Sequence, residues 1–62
     1  MNKAEKQALA NALENCINRE KQLTARYIEL NPIDKERRER DKDLVILGIQ
    51  SMYLEIKKQL EV

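Results

Sequence analysis

The chain has 62 residues, and its 12 basic and 11 acidic side chains leave a formal net charge of +1. This length allows one domain at most, and the near-neutral charge argues against a general polyanion-binding protein. One cysteine and no histidine exclude an intramolecular disulfide and a conventional zinc site. A chain this small, without those supports, is expected to rely on oligomerisation or on very good helix packing.

The first predicted element is an amphipathic helix over residues 3–30. Asn2 and Glu5 have the spacing of a capping box at its start. Apolar side chains then recur at steps of three and four, which is the period of one helix face. These are Leu9, Leu13, Cys16, Leu23, Tyr27 and Leu30. Glu20 interrupts the stripe and is expected to pair with Arg40 of the second helix.

A turn is predicted at residues 31–32. The residue before a proline is pushed out of the helical region, and Pro32 has no N–H to continue the helix. The same pair is suited to begin the next helix, with Asn31 as N-cap and Pro32 in the first turn. Because the connection is short, the two helices are expected to be antiparallel.

The second predicted helix covers residues 33–60 and has two unlike halves. Residues 34–43 are all charged, with opposite charges four residues apart, as at Arg37 and Asp41. Residues 44–56 are apolar on nearly every side, and a helix of that kind must be covered on more than one side. We expect Gly48 to mark a close approach of the two helix backbones.

Because one partner helix covers only one side of this stretch, the sequence predicts a second copy. The predicted oligomer interface consists of Val45, Ile46, Ile49, Met52, Tyr53, Leu54 and Leu60. The expected architecture is all-α: an antiparallel two-helix hairpin, a single domain over residues 1–62, that dimerises into a four-helix bundle. The residues expected to be buried in that assembly are Leu9, Leu13, Cys16, Ile17, Leu23, Leu47, Ile49, Met52, Tyr53 and Ile56.

No pattern in the chain indicates catalysis. It lacks histidine, a Gly-rich phosphate loop, and a Ser or Cys beside a plausible base. On the apolar stripe, Cys16 is expected to be a structural thiol and not a nucleophile. For Glu20, a role as general base competes with that of a polar residue that sets register or oligomeric state, and the second is favoured. We expect a non-enzyme with no catalytic residue, no cofactor and no metal.

The function that this reasoning favours is regulation, adaptation or inhibition by binding a larger protein. Arginine and tyrosine are over-represented among residues that dominate interfaces. The predicted partner-binding residues are therefore Tyr27, Arg37, Arg38 and Arg40, at the turn end of the hairpin. Whether residues 44–56 serve self-assembly or a foreign partner stays open. The small size of the chain and its lack of site chemistry suggest a phage or mobile-element origin.

The alternative is a small dimeric helical protein that binds nucleic acid through residues 37–42. Interleaved acidic side chains would repel phosphates there, and only two tyrosines are available to stack on bases, so this reading is less favoured. A membrane role is not expected, because no apolar run approaches bilayer length and no basic face backs residues 44–56. The N-terminal residues do not resemble a signal peptide, and a cytoplasmic location is expected.

Overall fold

The computed structural model describes residues 1–61 and consists of two long helices packed side by side. Helix α1 spans Lys3–Leu30, a 3₁₀ turn spans Pro32–Asp34, and helix α2 spans Lys35–Leu60. The Cα atoms of the hairpin extend over 45 × 15 × 13 Å. The predicted all-helical hairpin is therefore confirmed, while its assembly into a four-helix bundle stays a prediction.

Helix α1 begins with the capping box that the sequence predicts. The backbone N–H of Glu5 donates to Asn2 Oδ1 at 2.8 Å, and the backbone N–H of Asn2 donates to Glu5 Oε1 at 3.2 Å. Two of the N–H groups that a helix start leaves without partners are satisfied in this way. At the other end, the backbone N–H of Asn31 donates to the carbonyl of Tyr27 at 2.9 Å.

The start of α2 differs from the prediction. The helix begins at Lys35, two residues later than expected, because Pro32–Asp34 form a 3₁₀ turn first. Asn31 makes no side-chain capping bond, and neither does Asp34 at the N-cap of α2. The fixed φ of Pro32 fits a 3₁₀ turn as well as an α-helix. The chain therefore reverses through this tighter turn without the predicted Asn31 cap.

The contact between the two helices is narrow. Only Ala10, Thr24 and Ile56 are buried among the described residues, and none of the large side chains there is fully buried. Partly buried side chains continue the contact at steps of three and four residues along both helices. They include Leu13, Ile17, Glu20 and Ile28 on α1, and Lys42, Ile46, Ile49, Tyr53 and Leu60 on α2. We call this line of contact the seam.

On α1 the seam is displaced by about one residue from the predicted stripe. Ala10 and Thr24 are buried, whereas their bulkier neighbours Leu9 and Leu23 lie toward the flank, where Leu9 is partly buried and Leu23 is exposed. Four residues expected to be buried are exposed in the single chain. These are Cys16, Leu23, Leu47 and Met52. Their burial was predicted for the assembled dimer and stays a prediction.

The expected role of Gly48 within the hairpin is wrong. A Cβ atom added at Gly48 would have no heavy atom within 4 Å. The backbone of α1 therefore does not approach α2 closely at this residue. The reason is its position on the helix, because Gly48 lies on the flank of α2 and Ile49 lies on the seam.

Candidate protein-binding surface

One broad face of the hairpin carries apolar side chains from both helices. Residues seven apart lie on nearly the same side of a helix, because two turns contain about 7.2 residues. Leu9, Cys16 and Leu23 keep this spacing on α1, and Val45 and Met52 keep it on α2. We define the apolar face by Leu9, Leu13, Cys16, Leu23, Tyr27, Val45, Gly48 and Met52.

Two shallow grooves run between the helices on the apolar face. The groove nearer the turn is lined by Leu23, Tyr27 and Val45 together with four charged side chains, Glu20, Arg38, Asp41 and Lys42. The groove at the open end is lined by Leu9, Leu13, Met52, Glu55 and Ile56. Leu9 and Leu13 of α1 thus meet Met52 and Ile56 of α2.

The middle of the apolar face is formed by Cys16 and Gly48. Both residues are exposed, and each lies near the midpoint of its helix, Lys3–Leu30 or Lys35–Leu60. Large apolar side chains flank them on both sides, with Leu23 43% and Met52 55% exposed. The face is therefore apolar at Cys16 and Gly48, and Glu20, one turn from Cys16, lines the groove between this middle and the turn end.

Tyr27 packs against Arg38 at the turn end of the apolar face. The guanidinium carbon of Arg38 lies 5.1 Å from the centroid of the Tyr27 ring, which is within the range of a cation–π contact. Of the three arginines predicted to bind a partner, Arg38 is the one that contacts the Tyr27 ring. The Nε atom of Arg38 is buried and donates to no acceptor among residues 1–61. Arg38 therefore supports the tyrosine ring and is less free to contact a partner than Arg37 or Arg40.

Glu20 does not form the expected ion pair with Arg40. The ion pairs among residues 1–61 join Arg37 Nε to Asp41 Oδ2 at 4.0 Å and Lys42 Nζ to Asp43 Oδ1 at 3.4 Å. Glu20 is partly buried in the groove near the turn, whereas Arg40 is exposed and lines a different depression. Because the two side chains lie on different surfaces, the predicted ion pair does not form.

A second candidate surface lies at the turn itself. Ile33 is 93% exposed and lines one shallow depression together with Arg37 and Arg40. We call these three residues the turn surface. Ile33 is not among the partner-binding residues that the sequence predicts, although an apolar residue directly after Pro32 in a tight turn has no seam to face. The four predicted partner-binding residues therefore divide: Arg37 and Arg40 belong to the turn surface, and Tyr27 and Arg38 to the groove beside it.

The predicted oligomer-interface residues lie in three places. Val45 and Met52 are exposed on the apolar face. Leu54 is also exposed, but helical geometry places it on the opposite side of α2. The remaining four, which are Ile46, Ile49, Tyr53 and Leu60, are partly buried along the seam.

No metal site is formed by the residues that the structure describes, because nowhere in 1–61 do three His, Cys, Asp or Glu side chains group where they could hold an ion. Over the same residues, neither helix has a stretch that is both long and apolar enough to cross a bilayer. Comparison with models of known protein families found no match. Searches of curated proteins and of solved structures found no significant similarity either.

Proposed function

We propose that this protein is a small non-enzymatic regulator, an adaptor or inhibitor that acts by binding a larger protein. The observation that carries the proposal is the amount of apolar surface on the hairpin. Ten large apolar side chains are exposed among residues 1–61, and four of them, Leu23, Tyr27, Val45 and Met52, lie together on the apolar face. Contiguous exposed apolar surface is characteristic of protein-interaction sites.

Two surfaces support two kinds of contact. The apolar face suits a four-helix assembly of two copies, as the composition of residues 44–56 predicts. The turn surface projects beyond the helix contact and offers Ile33 as an apolar anchor beside Arg37 and Arg40. Arginine is over-represented among the residues that dominate binding energy, and the same depression is also lined by Asp34 and Glu36. We assign the larger protein partner to the turn surface. A cytoplasmic location belongs to the same proposal, because a single thiol suits a reducing compartment.

Replacement of two arginines tests the turn surface. We expect the Arg37→Ala/Arg40→Ala chain to lose its protein partner, because both guanidinium groups are exposed and free of the Tyr27 ring. The measurement is affinity capture from host extract, with and without nuclease, compared between variants by quantitative mass spectrometry. Loss of an arginine that dominates an interface costs about 2 kcal/mol or more, which is on the order of a thirtyfold weaker affinity.

The matched control removes the same charge elsewhere. Lys21→Ala/Lys58→Ala also deletes two exposed positive charges, and neither lysine lies on the turn surface or on the apolar face. A protein captured by the wild type and the control, but not by the arginine variant, supports the proposal. Equal capture by all three chains rules out the turn surface. Capture that disappears with nuclease favours the nucleic-acid alternative.

A further inference from the structure

We propose that a second copy of this chain covers the apolar face, so that two hairpins stack face to face. The inference rests on the protein-binding role proposed above. It names the partner and the surface for self-association. Its occupant is an identical chain, and the four residues at its centre are Cys16, Leu23, Val45 and Gly48. The larger protein partner is left to the turn surface.

The surface area of the single chain favours this association. A compact monomer of 7.3 kDa exposes roughly 4200 Å² according to the scaling of surface with mass. This chain exposes 5158 Å², so it has an excess of about 1000 Å² over that expectation. Each partner in a stable protein–protein interface buries about 800 Å². One stacked copy is therefore of the right size to remove the excess.

The dimensions of the hairpin lead to a similar area. The Cα atoms extend 45 Å along the helices and 15 Å across them, and a rectangle of that size covers roughly 700 Å² before side chains widen it. A face of this size meets the requirement of a stable dimer only when nearly all of it is covered. A second hairpin of identical length covers it completely, because the two faces have the same outline.

The sparse core explains why the occupant is a second copy. Ala10, Thr24 and Ile56 are the only buried residues among those described, and a 62-residue chain with so small a core is expected to be marginally stable alone. A foreign partner stabilises the chain only after the two have met. A second copy is present wherever the chain is made, and a self-complementary face forms a closed two-fold dimer.

The opposite broad face of the hairpin is less suited to this role. On α2 it presents Leu47 and Leu54, which are exposed. At the same side of α1 the helical period places Glu14, Asn18 and Lys21, so the apolar surface there comes from one helix only. The apolar face receives large apolar side chains from both helices and is therefore the surface that a second hairpin covers.

Cys16 provides a native reporter of this stacking. Its thiol is exposed in the single chain and lies at the middle of the apolar face, where a second copy would cover it. The test measures the rate of thiol alkylation by N-ethylmaleimide over a range of protein concentrations, with the urea-unfolded chain as the reference. Sedimentation on the same samples gives the mass. When nine tenths of the chains are assembled, mass action lowers the alkylation rate about tenfold.

Two glutamate variants separate the two faces. Val45→Glu places a charge on the apolar face, and Leu54→Glu places the same charge on the opposite side of α2. Both side chains are exposed in the single chain, 46% and 58% respectively, so the hairpin alone can accept either glutamate. We expect Val45→Glu to be monomeric with a fully reactive Cys16. We expect Leu54→Glu to keep the dimer mass and the protected thiol.

Two other results overturn the inference. A dimer whose Cys16 reacts as fast as the unfolded chain associates through a different surface. A wild-type chain that sediments at 7.3 kDa at every concentration does not self-associate, and the turn surface can still bind its protein partner in that case. If Cys16 is protected but the chain captures no protein, the stacked dimer is supported and the proposed regulatory function is contradicted. If Val45→Glu fails to fold, the alkylation rate of Cys16 in the wild-type chain still tests the inference.

Discussion

At the scale of single residues, Gly48 is the clearest departure from a good helix sequence. It lies inside α2, where glycine is destabilising relative to alanine by about 0.5–1 kcal/mol. Nothing within the hairpin requires it, because an added Cβ atom would have no neighbour within 4 Å. The single chain therefore carries the entropic cost of this glycine without a packing gain.

Replacement of Gly48 by alanine is expected to stabilise the single hairpin. In the Val45→Glu background, where the second copy is expected to be absent, Gly48→Ala should raise the free energy of unfolding by about 0.5–1 kcal/mol. Thermal unfolding followed by circular dichroism measures the change. A lower midpoint than that of Val45→Glu alone would mean that some group packs against Gly48 within the hairpin.

The sequence of α1 does not show which of two adjacent stripes forms the seam. On α1, apolar or small side chains occupy neighbouring pairs of positions, such as Leu9 with Ala10 and Leu23 with Thr24. Steps of three and four fit either member of each pair, so the period alone permits two adjacent stripes. The packing of α1 on α2 chooses the smaller members, and this choice depends on both helices at once.

At the scale of elements, the ends of the helices follow the local sequence to different degrees. The first helix is predictable because Asn2, Glu5 and Pro32 act through short-range bonds and sterics that a sequence displays directly. The start of α2 is not, because Pro32 is equally compatible with a 3₁₀ turn and with an α-helix. The turn surface was missed for the same reason, since the orientation of Ile33 depends on that turn.

The two asparagines that flank α1 form a matched pair for testing helix capping. Asn2→Ala removes a side-chain acceptor bonded at 2.8 Å to the backbone N–H of Glu5, and should cost about 1 kcal/mol of stability. Asn31 makes no side-chain capping bond, so Asn31→Ala should change stability far less. Urea unfolding of both variants measures the difference. Equal losses would contradict the assignment of capping to Asn2 alone.

At the scale of the whole molecule, the hairpin has helices without a substantial core. The composition of residues 44–56 of α2 predicts that a second surface, besides α1, packs against them. In the single chain Leu44, Val45, Met52 and Leu54 are exposed. The sequence does not show where this second surface packs, because its position depends on which flanks of the two helices lie side by side. Only the folded hairpin brings Leu9 and Leu23 onto the same surface as Val45 and Met52.

The most direct test of the account is the urea unfolding midpoint of the wild-type chain at two protein concentrations that differ a hundredfold. If two copies fold and assemble together, mass action predicts that the higher concentration stabilises the dimer by about 2.7 kcal/mol, and the midpoint moves to higher urea. A midpoint that is the same at both concentrations would show that the hairpin of 62 residues is stable by itself. That result would contradict the claim that a second copy completes the fold.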